Sequence, residues 1–80
     1  MPSKPIIYTQ HARDRMQDPN RGLISEAEVE DVLVSPTASY LGIDGKLNVL
    51  GESGGKRIRV FYIEETVRLL IRMVINRGVE

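Results

Sequence analysis

The chain has 80 residues, eleven basic and eleven acidic side chains that balance to a net charge of +0, and no cysteine. A chain this short forms a single domain over residues 1–80 and buries only roughly 60 to 65% of its unfolded surface, which excludes a second core. The missing cysteines exclude disulfide staples and thiolate metal sites, and the charge balance excludes a global field for nucleic acid or anionic membrane.

Pro5 to Thr9 holds Ile6, Ile7 and Tyr8, a β-prone run after a proline that suits a strand start or a sheet edge. Thr9 then caps a short helix from Gln10 to about Gln17, with Ala12 and Met16 at i,i+4 facing the core, and Asp18-Pro19-Asn20 ends it. Ser25-Glu26-Ala27-Glu28 is a capping box that opens a second helix. Val29, Val32 and Leu33 form its buried stripe, and Glu26, Glu28, Glu30 and Asp31 crowd the positive end of its dipole. Ser35-Pro36 stops it.

From Thr37 the apolar period becomes two. Ala38 to Ile43 and Lys46 to Leu50 flank Asp44-Gly45, a pair that favours a two-residue type I′ hairpin. That turn sets Tyr40 opposite Val49 and Gly42 opposite Leu47, with Tyr40, Leu47 and Val49 on the core side. Ser53-Gly54-Gly55 leads into a second hairpin, Lys56 to Ile63 and Val67 to Asn76, joined by Glu64-Glu65-Thr66. Alternation places Ile58, Val60 and Tyr62, then Val67, Leu69, Ile71, Met73 and Ile75, toward the core. The opposite face carries Arg57, Arg59, Phe61 and Ile63, then Arg68, Leu70, Arg72, Val74 and Asn76. The expected fold is α+β: β-α-α followed by a four-stranded antiparallel meander, with both helices on one sheet face.

Few residues suit chemistry. Gly51-Glu52-Ser53-Gly54-Gly55-Lys56 has three residues between its glycines where a phosphate loop needs four, and a strand follows it. A single histidine with no cysteine leaves no zinc site on nitrogen or sulfur ligands. The carboxylates of the second helix read as a dipole-favoured solvated face rather than a magnesium site, so neither metal nor cofactor is expected. His11, Arg13 and Arg15 remain, together with the hairpin arginines. His11 and Arg15 lie on one side of the first helix, about 100° from the Ala12 and Met16 stripe. His11 is either a first-turn residue bonded to a neighbour or an acid, base or RNA contact. Arginines mixed with Phe61, Ile63, Leu70 and Val74 suit a protein interface, a phosphate-binding surface or a solvated face.

His11-Ala12-x-x-Arg15-Met16, Arg21-Gly22-x-Ile24-Ser25 before an acidic helix, and Gly55-Lys56-Arg57-Ile58-Arg59-Val60 before a closing apolar strand together resemble a small prokaryotic domain family of unknown function. That family is related in fold to the RelE/ParE and BrnT toxins of toxin–antitoxin systems. The resemblance covers nearly the whole chain. It implies a RelE-like β-α-α-β-β-β architecture and a toxin-like, metal-independent endoribonuclease, ribosome-linked or free, with an antitoxin protein and RNA as partners. By the same resemblance His11 is the acid or base, and Arg15, Lys56, Arg57 and Arg59 bind RNA phosphate, with Arg59 set beside His11 in catalysis; Arg72, on the outer face of the hairpin, is a further expected RNA contact. The competing expectation is a non-enzymatic interaction module, a homodimer through the outer face of the 56–76 hairpin. A cytoplasmic protein without membrane contact is expected, since no apolar run nears the roughly 18 residues of a spanning helix and Met-Pro-Ser-Lys is no signal peptide.

Overall fold

Local chemistry sets the ends of both helices. Thr9, in extended backbone, accepts the Ala12 N–H and starts α1, Gln10–Gln17. Asp18 accepts the Asn20 N–H and turns the chain through a 3-10 segment, Pro19–Arg21. Ser25 and Glu28 close the capping box on α2, Glu26–Val34, with both reciprocal bonds present. These interactions satisfy N-terminal N–H groups that have no partner inside the helix. The computed structural model describes residues 4–42 and 45–78.

The strands are β1 Ile6–Tyr8, β2 Ala38–Leu41, β3 Lys46–Ser53, β4 Lys56–Glu64 and β5 Leu69–Asn76. They form one sheet in the order β1-β5-β4-β3-β2. β2 to β5 make the antiparallel meander expected, but β1 lies parallel to β5, so the sheet is mixed. The two helices provide the crossover that parallel pairing requires.

Both helices pack on one sheet face. Ala12 and Met16 of α1 and Val29 and Val32 of α2 join Tyr8, Ile24, Val49, Ile58, Val60, Ile71 and Val74 in a single core. Burying a side chain such as Ile58 or Ile71 is worth about 1.5–3 kcal/mol. The first-helix stripe and the α2 stripe are as the sequence spacing predicts, with Leu33 at the margin of the core.

Three strand expectations are corrected. β4 pairs Phe61 with Met73 but Tyr62 with Ile71, so Arg72 is an inserted residue with no partner on β4. This β-bulge reverses the phase of β5. Leu69 and Ile71 before it, and Val74 and Asn76 after it, are buried, while Met73 and Ile75 move to the other face and are partly exposed. Asn76, the one buried polar residue among those described, uses its side-chain oxygen to accept the Gly78 N–H at 3.0 Å. Val67, expected in the core, is 71% exposed because the strand begins only at Leu69.

The β2–β3 register is shifted by one residue from expectation. Tyr40 pairs with Asn48 and Leu41 with Leu47, and the Gly42 N–H donates to the Lys46 carbonyl at 2.7 Å. Three residues therefore separate Gly42 from Lys46 instead of the two of an Asp44-Gly45 turn; Ile43 and Asp44 lie outside the described residues. A three-residue loop needs one left-handed position, and Gly45 supplies it with φ +72°. Two consecutive positive φ values occur instead at Gly54 and Gly55, +59° and +76°, between the paired residues Ser53 and Lys56. The shift also removes Tyr40 from the core side, where it was expected, and leaves it 48% exposed beside Asn48 on the helix-free face.

Candidate functional site

The bulge positions the most suggestive constellation. The Thr9 hydroxyl donates to the Arg72 carbonyl at 3.3 Å and the Thr9 N–H to the Ile71 carbonyl at 3.0 Å, which ties the start of α1 to the irregular part of β5. His11, two residues on, and Arg72 consequently border the same open cavity of about 470 Å³. Lys46 and Gly42 border it at the β2–β3 end, and its remaining lining crosses β3, β4 and β5 at Leu47, Asn48, Phe61, Tyr62 and Met73. No carboxylate lines it among the described residues.

Tyr62 is partly buried against the core. Burial, and then the nearby Glu64 carboxylate, raise the pKa of its phenol, so it stays protonated at neutral pH and can donate a proton or a hydrogen bond. The cavity thus combines an imidazole, two cationic side chains and a phenol.

The other predicted residues are dispersed. Lys56 Nζ sits 2.9 Å from each Glu28 carboxylate oxygen, at the cap of α2. Arg57 is exposed opposite Glu52 and borders a separate cavity of about 180 Å³ with Thr37 and Arg77. Arg59 lies on the helix-free face, its guanidinium 5.9 Å from the Tyr40 ring centroid and 5.8 Å from that of Phe61. Its Nε is buried without a hydrogen-bond partner among the described residues. Arg15 is half-buried on α1 and does not border the His11 cavity. Arg72 falls in the bulge, and β5 opposes Arg59 with Ile75.

Sequence reasoning did not select Lys46 or Tyr62. Nothing in linear spacing marks them, because they reach His11 only through strand pairing, although a tyrosine on an otherwise aliphatic strand face is a usable signal for a polar tip at the core margin. Another cavity, of about 650 Å³, is lined by Glu30, Asp31 and Glu52 among others, and such a wall repels phosphate. No group of three or more histidine, cysteine, aspartate or glutamate side chains among the described residues is placed to hold a metal ion. No described helix is long and apolar enough to cross a membrane.

Set against protein-family models, curated proteins and solved structures, the chain finds no match.

Proposed function

We propose that the cavity between His11 and Arg72 is the centre of a metal-independent endoribonuclease, and that the protein is toxin-like, restrained in the cytoplasm by an antitoxin. The observation that supports this reading is the convergence of His11, Lys46, Tyr62 and Arg72, from α1, β3, β4 and β5, on one cavity. His11 takes the proton of an RNA 2′-hydroxyl as its oxygen attacks the adjacent phosphorus. Arg72 and Lys46 balance the charge that builds on the phosphorane oxygens, and the Tyr62 phenol or the imidazolium just formed protonates the departing 5′-oxygen. The bond formed is 2′-O–P and the bond broken is P–O5′, leaving a 2′,3′-cyclic phosphate.

The test is to incubate the purified protein with unstructured RNA in a chelator and map the ends. Cleavage should occur, and His11→Gln and Arg72→Ala should each lower it by about 10²- to 10⁴-fold with the melting temperature unchanged. Tight induction in a bacterial host should arrest growth for the parent alone, and co-purified ribosomes would identify a ribosome-linked mode. Loss in Arg59→Ala with retention in Arg72→Ala would move the chemistry to the helix-free face. No cleavage by the parent overturns the reading.

A second reading, a non-enzymatic interaction module, rests on the helix-free face itself. There Arg59 lies between Tyr40 and Phe61, and Ile63, Leu70, Met73 and Ile75 are only partly covered. Arginine among apolar and aromatic groups is the composition of a protein contact. Harmlessness in the cell, with an Arg59→Ala variant that loses a partner or changes its oligomer, would favour it.

A further inference from the structure

A sheet of five strands has two edges, and they are finished differently. β1 is three residues long, follows Pro5, and has Lys4 beside it bound to the Glu64 carboxylate and the Glu65 carbonyl. A short strand with a proline and a lysine beside it discourages pairing with another chain. β2 is also short, at four residues, but Ala38-Ser39-Tyr40-Leu41-Gly42 carries neither charge nor proline. Leu41 and Tyr40 are 79% and 48% exposed, a concentration of apolar surface at the rim of the sheet.

The hydrogen-bond phase of β2 is fixed by the Gly42 N–H to Lys46 carbonyl bond and the pairing of Tyr40 with Asn48. In an antiparallel ladder alternate residues direct their backbone groups to the partner strand, so Ala38, Tyr40 and Gly42 serve β3. The N–H and C=O of Ser39 and Leu41 point outward from the sheet.

We infer that β2 is the contact edge of a symmetric homodimer, two copies pairing their β2 strands antiparallel about a two-fold axis at Tyr40. In this arrangement Ser39 of each copy exchanges both backbone bonds with Leu41 of the other, and the two Tyr40 residues face each other as a non-hydrogen-bonded pair. The occupant is a second copy because the edge is self-complementary: one strand offers the donors and acceptors its own antiparallel image requires, and a two-fold closes without leaving a further β2 edge. Residues Ala38 to Gly42 carry no charge, so none of the strand's own side chains repels its image. Pairing joins the two sheets into one continuous sheet. This contact does not rest on the endoribonuclease reading, although Gly42 also borders the His11 cavity and Tyr40 lies on the helix-free face beside Arg59.

Sedimentation over a wide concentration range should show a monomer–dimer equilibrium. Leu41→Pro should weaken it by at least about tenfold, since the Leu41 N–H serves only the partner. Leu41→Lys, which keeps the backbone and places like charges across the axis, should do the same and decides the matter if the proline variant does not fold. The chain has no cysteine. Tyr40→Cys should therefore oxidise to a covalent dimer, facing residues of such a pair lying about 4.5 Å apart at Cα, within disulfide reach. Val34→Cys, at the exposed end of α2, should not. A parent that stays monomeric overturns the inference, as does dimerisation unchanged in both Leu41 variants or equal cross-linking of the two cysteines. Assembly beyond a dimer would replace the closed two-fold with an open contact and overturn it as well.

Discussion

Gly51 lies directly against Val32. A β-carbon at Gly51 would sit 3.0 Å from Val32 Cγ1 and 3.3 Å from Cγ2, closer than packed side chains tolerate. The glycine is buried on the helix side of β3 and sets how closely α2 approaches the sheet. Gly51→Ala should destabilise the protein by about 1–3 kcal/mol through overpacking, seen as a drop in melting temperature of several degrees. Val32→Ala alone should also be destabilising, because it empties core volume. The double variant should recover part of the loss, as expected for residues in contact, and strict additivity would mean that the two do not touch.

The Glu28 carboxylate joins the cap of α2 to the start of β4. Burial raises its pKa, but the Ser25 N–H, the Lys56 ammonium and the Ser25 hydroxyl outweigh that effect, and the pKa lies below its ordinary value. The stability this depression contributes is present above the unfolded carboxylate pKa and is lost as pH falls through the lower folded value. Glu28→Gln should cost about 1 kcal/mol at neutral pH and flatten the acid limb of the melting-temperature profile. An unaltered acid limb would remove Glu28 from the acid response.

Tyr8 carries a different polar cost. Its hydroxyl oxygen is buried without a hydrogen-bond partner among the described residues, and the Arg13 guanidinium lies 5.3 Å from its ring centroid. Burial, then Glu26 and Glu30, push its pKa up to about 12 against the opposing pull of Arg13. Stability from the protonated phenol is complete below the unfolded value near 10 and disappears as pH rises toward the folded one. Tyr8→Phe should leave the neutral-pH melting temperature equal or higher, since it removes an unsatisfied group, and should reduce the alkaline fall. A loss of more than about 1 kcal/mol at neutral pH would show that the hydroxyl is bonded.

The phase reversal in β5 separates residues that unbroken alternation treats alike. Ile71 is fully buried, whereas Ile75 is only partly so and shares the face of Arg59. Ile71→Ala should cost about 2–5 kcal/mol, and Ile75→Ala should fall well below that. Val74→Asp should unfold the domain, since Val74 is 1% exposed and a buried unpaired carboxylate is expensive. Equal costs at Ile71 and Ile75 would mean that β5 runs without a bulge.

Gly45→Val probes the β2–β3 loop. With φ at +72°, a β-branched side chain is strained whatever the surrounding space, and about 1–3 kcal/mol should be lost. An unchanged melting temperature would show that the left-handed position lies elsewhere.

The sequence by itself determined the features that depend on near neighbours. Thr9 and Ser25 announce helix starts because capping is a contact across three residues, and Ala12, Met16, Val29 and Val32 announce core stripes because helical periodicity is local. The α+β class and the meander followed from the order of those periods. Tertiary structure decided what depends on pairing between distant strands. The parallel docking of β1 on β5 leaves no mark in either strand. The bulge at Arg72 is equally silent, since an inserted residue reads as one more member of an alternating run, yet it decides which half of β5 faces the core. That same bulge holds Arg72, which borders one cavity with His11, Lys46 and Tyr62, a grouping across four elements that no spacing along the chain could express. Likewise the one-residue shift at Gly45 moved Tyr40 to the opposite face: side-chain direction in a sheet has a period of two, so a single residue of register reverses every side chain beyond it.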